Sequence, residues 1–336
     1  MDKKITQMIK GVAILIMIAH HFLVIPFSEF GYVITKFGYA CKICVAIYAA
    51  LSGYGYFFAR EKTLKYSLKK IWGLLQIYWI SLFTLFIPAA LLGGWKLTPS
   101  NLIVQLFGLL PNLNWFAWYV FFYVFCMLVM PLLCKYKTFR FKPIVNLGLM
   151  IGVPYVFEAL LYMIPNYQEN TVTHDLFSCF LYFPCFLVGY WMAQNKIPEK
   201  FKSVNLLRNP FVSIVGVGVV FIAKMCLSSV LGFLFDVFYA PLMILFLMNV
   251  FEQLGKYKII NIPFSILGKY STGMWFFHAV FFSTYVCDWF LPVLNLVSFP
   301  PLMFVWLTIL SLLGAFVFGK ALDGLKTLPK LFKRGL

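Results

Sequence analysis

Three histidines fall inside long apolar stretches of the sequence, where ionisable side chains are costly and usually serve a function. His20 and His21 are adjacent in the first stretch, and His278 lies in a later one. A neutral imidazole accepts a proton in the physiological pH range, so a histidine facing a dry cavity is suited to general-base chemistry. The alternative is that each imidazole only hydrogen-bonds a neighbouring helix.

Helix geometry relates these histidines to one another. At about 1.5 Å per residue, His20 and His21 lie roughly 15–17 Å from Lys10, and His278 lies roughly 13–14 Å from Lys269. Both lysines are expected at the inner membrane face, so the spacing predicts one shared depth near the midplane. Adjacent helix residues point about 100° apart, so only one of His20 and His21 faces a cavity squarely.

Further ionisable side chains interrupt the apolar stretches nearer the outer face. Lys42, Glu158 and Lys224 fall in predicted spans, and Asp288 falls at the end of one. Together they predict a polar, water-filled outer vestibule that binds a hydroxyl-rich acceptor. Snorkelling of the long side chain to the interface is the alternative for the two lysines, whereas Glu158 has less reach.

Four lysines lie near the inner ends of the first and third apolar stretches. They are Lys10, Lys65, Lys69 and Lys70. Lysine serves as a point-charge ligand of phosphate groups, so these residues are candidates for binding a phosphorylated donor. The general excess of basic residues in cytoplasmic loops is the alternative explanation.

The composition identifies the elements that must position these side chains. Of the 336 residues, 62% are apolar and 12% are charged, and the mean hydropathy is +0.88. One soluble core does not bury so much apolar surface, so a disordered chain, a coiled coil and an ordinary soluble enzyme are excluded. Long unbroken apolar runs favour helices over barrel strands. The sequence predicts an all-α, polytopic membrane helix bundle, with one integral-membrane domain over residues 1–336.

Ten spans are expected, because a bilayer core needs about 20 apolar helical residues. Their predicted ranges are 11–27, 37–58, 71–92, 115–133, 144–164, 176–193, 209–231, 237–254, 271–290 and 302–319. Residues 101–110 are too few to span and predict an interfacial or re-entrant helix.

The net charge of +17 tests this arrangement. With the N-terminus inside, nearly all lysine and arginine residues fall in the inner segments, which predicts that both termini are cytoplasmic. The same pattern points to membrane lipids and away from nucleic acid as partners. The sequence has no Walker loop and no dinucleotide fingerprint, so neither ATP nor NAD is indicated. No metal site and no tightly bound cofactor are expected.

Several stretches together resemble the family-three membrane acyltransferases, which O-acylate cell-surface carbohydrates in bacteria. The similar segments are residues 9–15 with 20–22, 44–48, 51–55, 114–119 with 130–133, 183–190, and 267–271 with 277–278. In that family a basic residue opens the first span and a histidine follows eleven positions later, which favours His21 over His20. The family usually has arginine where this chain has Lys10, and a paired arginine where it has Lys69 and Lys70.

The resemblance implies a multi-pass enzyme of the bacterial inner membrane that transfers an acyl group from acyl-CoA, most simply acetyl-CoA, as co-substrate. The implied acceptor is a sugar hydroxyl of a surface polysaccharide or its lipid-linked precursor. His21 is then the expected base, with His20 and His278 as further catalytic candidates, and the four inner lysines hold the coenzyme phosphates. Candidates for substrate binding are Ser271, Glu158, Lys42 and Trp115.

A second interpretation is a transporter or flippase with a histidine-lined path for a polar metabolite or lipid-linked sugar, because buried histidines also serve proton relays. The sequence shows no internal repeat of the kind that marks many transporters. A third interpretation, a sensor or scaffold without chemistry, leaves the buried histidines unexplained. Release of free coenzyme A distinguishes the first interpretation from the others.

Overall fold

The computed structural model describes residues 1–25, 30–109, 113–136, 141–169, 171–282, 284, 286 and 288–332. Within these ranges the regular structure is helical, without a β-strand, which confirms the predicted all-α class. The α-helices are α1 (Lys3–Val24), α2 (Tyr32–Ala40), α3 (Ile43–Phe57), α4 (Leu64–Ser81), α5 (Ile87–Leu92), α6 (Pro99–Leu106), α7 (Trp118–Lys135), α8 (Pro143–Tyr162), α9 (Thr171–Gln194), α10 (Ile197–Ser203), α11 (Pro210–Leu231), α12 (Asp236–Leu254), α13 (Lys258–His278), α14 (Leu291–Leu294) and α15 (Pro300–Phe332).

Nine helical stretches in the described part of the chain are long and apolar enough to cross a bilayer. They are Lys3–Val24, Tyr32–Phe57, Leu64–Leu92, Trp115–Lys135, Pro143–Tyr162, Val172–Gln194, Pro210–Leu227, Asp236–Leu254 and Pro300–Leu325. They correspond to nine of the ten predicted spans, so the protein is a multi-pass membrane protein. Residue 27, the predicted end of the first span, and residue 110, the predicted end of the short helix, lie outside the described residues.

The predicted span 271–290 is wrong in its bounds. The helix at this position, α13, begins at Lys258 and ends at His278, and a short 3₁₀-helix, Ala279–Phe281, follows it. Polar residues in the first half of α13 lower the mean hydropathy of that half. It nevertheless packs against α1. Gln7 Nε2 donates a hydrogen bond to Ser265 O at 2.8 Å, and the helices meet at Gly268. Residues 283, 285 and 287 of the predicted span lie outside the described residues.

The chain forms two compact units. The first comprises Met1–Leu68 and Phe122–Lys269, and the second comprises Lys69–Phe121 and Tyr270–Leu336. The prediction of one domain over residues 1–336 stays a prediction, because compactness alone does not show that either unit folds independently.

Helices α3 and α9 form the closest helix pair of the first unit. A Cβ atom on Gly53 would overlap the carbonyl oxygen of Phe186, and one on Gly189 would overlap that of Ala50. Small residues at a helix crossing let two backbones approach closely, which is how membrane helices gain packing energy. Helices α1, α8 and α12 pack against this pair, and α2 and α11 pack in turn against α1 and α12.

In the second unit, α6 is fixed to α4 by two hydrogen bonds. The Tyr78 hydroxyl donates to Gln105 O at 2.7 Å, and Trp79 Nε1 donates to Leu106 O at 2.8 Å. The eight residues of α6 are too few to cross a bilayer, as predicted for this segment.

The second predicted span contains a break between α2 and α3. The Lys42 backbone N–H donates to Tyr39 O at 3.1 Å and not to the carbonyl four residues earlier. Cys41 and Lys42 keep right-handed helical dihedrals, so the chain continues in the same direction, but the Gly38 carbonyl is left without its usual partner four residues later. The break is therefore a candidate part of the functional site, together with the α1 histidines.

Candidate functional site

The break in the second span positions His20. The Gly38 carbonyl would ordinarily accept the Lys42 N–H, but that N–H is diverted to Tyr39 O, and Gly38 O accepts a hydrogen bond from His20 Nδ1 instead. The N···O distance is 2.8 Å. Because a carbonyl oxygen only accepts, Nδ1 carries the proton, and Nε2 is the acceptor nitrogen of the neutral ring.

His21 lies beside this tethered ring. The two imidazole centroids are 5.1 Å apart, and the Tyr39 ring centroid is 6.4 Å from that of His20. Both histidines are partly exposed, so both are reachable from the space around the end of α1. The structure thus brings together two of the three predicted catalytic residues on one helix.

The helix bounds give the position of these histidines along α1, although not the membrane depth that the spacing predicts. Helix α1 begins at Lys3, not at Gly11, so Lys10, the reference point for that depth, lies well inside the helix. With 22 residues in α1, His20 and His21 lie about 10 Å beyond the helix midpoint, toward its C-terminal end. The shared depth with His278 stays a prediction.

A group of charged side chains converges on Phe233, in the turn between α11 and α12. Lys42 Nζ lies 4.1 Å from the centroid of the Phe233 ring, and Lys224 Nζ lies 5.0 Å from it. Lys224 also forms an ion pair with Asp236, the first residue of α12, and neither side chain has any solvent exposure. We call Lys42, Lys224, Asp236 and Phe233 the charge cluster.

The charge cluster adjoins the histidines. The ammonium groups of Lys42 and Lys224 both lie within electrostatic reach of the His20 imidazole. Lys42 likewise lies within electrostatic reach of Asp236, whose Oδ2 atom is buried and has no hydrogen-bond partner among the described residues. The structure therefore groups His20, His21, Lys42 and Lys224, which the sequence placed in three different predicted spans.

Asp236 and Phe233 were missed by the sequence analysis. Asp236 directly precedes the predicted eighth span, so it resembled an ordinary loop residue. A signal was present: Lys224 lies about two turns before the end of α11, and Asp236 begins α12 after the short turn around Gly232, which has a positive φ of 57°. Such a turn makes the two helices neighbours, so a lysine in one and an aspartate at the start of the other are candidates for an ion pair.

Glu158 connects to this region only through its helix. It is partly exposed on α8, and one turn before it the Tyr155 hydroxyl donates a hydrogen bond to Leu234 O in the α11–α12 turn. This hydrogen bond fixes α8 against the segment that carries Asp236. Substrate binding by Glu158 itself stays a prediction.

In the second unit, His278 is the last residue of α13 and is completely buried. Its Nδ1 donates to Trp275 O, so Nε2 is the acceptor nitrogen of the neutral ring here as well. The rings of Phe116 and Phe282 lie 5.5 and 5.8 Å from it. Ser271 lies on the same helix, about two turns earlier, and is also buried.

Trp115 reaches this group through Phe116. It is 55% exposed, and its ring lies 5.3 Å from that of Phe116, which in turn contacts His278. The preceding residue, Asn114, was missed by the sequence analysis. Its side chain is fully buried, and among the described residues neither its amide nitrogen nor its oxygen has a hydrogen-bond partner.

Three of the four predicted donor lysines lie near the beginning of α4, and the fourth, Lys10, lies within α1. Lys65, Lys69 and Lys70 are exposed on α4, which begins at Leu64, before the predicted start of its span. Lys65 and Lys69 are four residues apart and share one helix face. Lys10 lies on α1 and is partly exposed, and its backbone carbonyl accepts a hydrogen bond from the Tyr48 hydroxyl at 3.2 Å.

The site residues are not arranged as metal ligands. In the described part of the chain, no group of three or more His, Cys, Asp or Glu side chains is placed to hold a metal ion. His20 and His278 are instead held by backbone carbonyls, which is an arrangement suited to proton transfer.

Comparison with known proteins gives the chemical class. A family model described as an acyltransferase domain matches residues 7–320, which is nearly the whole chain. The matched range includes both α1 histidines, the charge cluster and His278. Comparisons with curated proteins and with solved structures gave no significant match.

Proposed function

The chain belongs to acyltransferase family 3 and is an acyltransferase, and we propose that it transfers an acyl group, most simply acetyl, from acyl-CoA to a carbohydrate hydroxyl. The acceptor is a surface polysaccharide or its lipid-linked precursor, and the membrane is the bacterial inner membrane. The observation that carries the proposal is the pair of α1 histidines, one of which is held with its Nε2 as the acceptor nitrogen.

The reaction is a direct acyl transfer. His21 accepts the proton of the sugar hydroxyl while the oxygen attacks the thioester carbonyl carbon. A C–O bond forms, the C–S bond breaks, and the coenzyme A thiolate leaves and takes up a proton. A sugar hydroxyl is a poor nucleophile at neutral pH, and general-base assistance of this kind contributes about 10²–10⁴-fold to the rate.

His20 is a positioning residue in this proposal. Its Nδ1–H···O hydrogen bond to Gly38 fixes the imidazole, which lies beside His21 at a centroid distance of 5.1 Å. The resemblance to the family, in which a histidine follows the basic residue of the first span by eleven positions, selects His21 as the base. His278, with Ser271 on its helix, is assigned to the acceptor or to the thioester oxygen.

Basic residues near the cytoplasmic face bind the donor. Lys65 and Lys69 present two ammonium groups on one face of the first turns of α4, and Lys70 adds a third. The N-terminal end of a helix also attracts anions, because its unpaired N–H groups carry partial positive charge. Lys10, on α1, is the fourth lysine that the proposal assigns to the phosphates of the coenzyme.

Lys42, Glu158 and Trp115 contact the carbohydrate. In the first unit, Lys42 lies at the break between α2 and α3, near His20. In the second unit, the ring of Phe116 lies between Trp115 and His278. A broken helix in a membrane protein supplies polar groups at a ligand site.

Thiol release tests the proposal. Purified protein in detergent is given acetyl-CoA with and without a carbohydrate acceptor, and free coenzyme A is measured with a thiol reagent. We expect acceptor-dependent release that is lost in His21→Ala and kept in His174→Ala, a matched change at the exposed end of α9. Uptake of a labelled sugar into proteoliposomes without any thiol release would favour a transporter instead.

A further inference from the structure

The charges of the charge cluster do not balance. In their ordinary ionised forms, Lys42 and Lys224 carry two positive charges and Asp236 carries one negative charge. Lys224 and Asp236 satisfy each other within the buried turn between α11 and α12, as an ion pair in a dry interior requires. Lys42 adds a second ammonium group, and its described contact is the face of Phe233.

Structural needs account for the ion pair but not for Lys42. The pair joins α11 to α12, whereas Lys42 lies at the break between α2 and α3, on another part of the fold. An unbalanced charge at membrane depth is costly and marks a functional site. Lys36 provides a contrast on the same span, because it lies over the ring of Tyr32, one turn away on its own helix, at 4.6 Å.

We propose that Lys42 binds the carboxylate of an acidic sugar, so that the acceptor of the enzyme is a uronic-acid type of carbohydrate. This inference rests on the proposed function, because it names the class of acceptor for the same site. Lys42 is partly exposed, whereas Lys224 and Asp236 have no exposed surface and stay paired with each other beside it.

The charge count selects a monoanion. One carboxylate neutralises the excess of the cluster, whereas a neutral sugar leaves one positive charge unpaired. A phosphate monoester, which carries up to two negative charges, would leave one negative charge in excess. Hydrogen bonds between charged partners are also the strong ones, so a carboxylate gains more from the Lys42 ammonium group than a neutral hydroxyl does.

The position of the cluster agrees with this role. Lys42 and Lys224 are both within electrostatic reach of the His20 imidazole. Gly38, whose carbonyl holds His20, lies about one helical turn before Lys42, so a sugar held by its carboxylate at Lys42 is bound near the α1 histidines. Binding through a group that does not react thus supplies the orientation that acyl transfer needs.

A charge series of otherwise similar sugars tests the inference. Glucuronate, glucose and glucosamine are compared as acceptors by kcat/KM for coenzyme A release and as ligands by ligand-observed NMR. In the wild-type protein we expect glucuronate to exceed glucose, and glucosamine to be the poorest. In Lys42→Gln the preference for glucuronate over glucose should fall by about 10- to 100-fold.

Two matched variants separate the charge from the fold. Lys42→Arg keeps the positive charge and should keep the preference, and Lys36→Gln removes a ring-stacked lysine elsewhere on the span and should leave it unchanged. None of the variants Lys42→Gln, Lys42→Arg and Lys36→Gln alters a residue proposed to bind the donor. The KM for acetyl-CoA should therefore stay at the wild-type value in all three variants.

The two readouts keep this inference distinct from the proposed function. Coenzyme A release with glucose equal to or above that with glucuronate overturns the acidic acceptor and leaves the acyltransferase proposal standing. Lysine-dependent binding of glucuronate without any coenzyme A release supports the site and contradicts the proposed reaction. Three binding results overturn the inference. They are equal binding of glucuronate to wild type and Lys42→Gln, no binding of glucuronate to either protein, and stronger binding of glucose 6-phosphate than of glucuronate.

Discussion

His20 Nδ1 and the backbone carbonyl of Gly38 form a 2.8 Å hydrogen bond, and they do so because the second span is broken just before Lys42. In a continuous helix the Gly38 carbonyl would be occupied by the Lys42 N–H. The break therefore does two things at once: it releases an acceptor that orients His20, and it places Lys42 beside Phe233. Two predicted site residues from different spans depend on one local feature of the backbone.

The first prediction separates the two α1 histidines. His21→Ala should lower turnover by about 10²–10⁴-fold, because it removes the general base. His20→Ala should lower turnover less, because His20 acts by positioning its neighbour. Acceptor-dependent coenzyme A release by each purified variant gives the comparison, and size-exclusion chromatography confirms that both variants remain folded.

Two further measurements make this comparison decisive. His20→Ala should change kcat more than the KM for acetyl-CoA, and it should keep the rise of rate between about pH 5 and 8 that a histidine base gives. His21→Ala should lose that rise. An active His21→Ala beside an inactive His20→Ala would show that the tethered ring itself is the base.

The second prediction concerns the donor. Replacing Lys69 and Lys70 together by Gln should raise the KM for acetyl-CoA, because each substitution removes an ammonium group from a phosphate. The rise should be roughly threefold to tenfold for each lysine replaced, at the lower end for exposed side chains. The KM for the acceptor should not change. Lys200→Gln, in exposed α10, is the control. An unchanged KM for acetyl-CoA in the folded double variant would mean that these lysines serve only to orient the chain in the membrane.

The third prediction concerns topology. Gln168 precedes α9 and Lys200 follows it in α10, and both are exposed. The 24 residues of α9 measure about 36 Å, enough to cross the bilayer. A cysteine at position 200 should be labelled by an impermeant maleimide only after the cells are opened, and a cysteine at position 168 should be labelled in intact cells. The eight natural cysteines are first replaced, and retained activity shows that the protein is intact. Labelling of position 200 from outside would reverse the predicted orientation.

The positions of the helices were predictable because long apolar runs dominate the choice of structure in a membrane. The ends were less predictable, because helices continue into polar segments that a neighbouring helix covers. The first half of α13 shows this: Gln7 donates to Ser265 O, and Gly268 lets α1 approach. The mean hydropathy of this half reflects only its polar residues and contains no information on the tertiary contact that accommodates them.

The candidate site was predictable in its residue types but not in its grouping. His20, His21 and Lys42 stood out because they are ionisable and lie in apolar runs. Asp236 did not, because a carboxylate at the end of a run looks solvated until its partner, Lys224, is known to be buried beside it. The break at Lys42 was also hidden, since both of its flanking helices are apolar and neither proline nor glycine occupies the break itself.

The fourth prediction tests the close packing of α3 against α9. Gly53→Ala should destabilise the protein by about 1–3 kcal/mol, because a Cβ atom there overlaps the Phe186 carbonyl and the helices must separate. Gly55→Ala is the matched control on the same helix: no atom lies near its Cβ position, so better helix propensity should leave stability equal or higher. Thermal unfolding in detergent measures both. Equal melting temperatures for the two variants would show that α3 and α9 can separate at Gly53 without loss of stability.

The last prediction concerns Asn114, which precedes Trp115 and Phe116 near His278. Its side chain is fully buried, and both amide atoms lack partners among the described residues. Leaving a buried amide unsatisfied costs about 1–3 kcal/mol, so the near-isosteric Asn114→Leu should raise the melting temperature of the ligand-free protein. If the amide serves the substrate that Trp115 and His278 contact, the same variant should lose turnover with acetyl-CoA and acceptor. Asn146→Leu is the control, because Asn146 is also buried but already donates to Phe141 O at 3.0 Å, so its replacement should lower stability. A destabilised Asn114→Leu would mean that the amide stabilises the fold, and a stabilised variant with full turnover would remove Asn114 from the site.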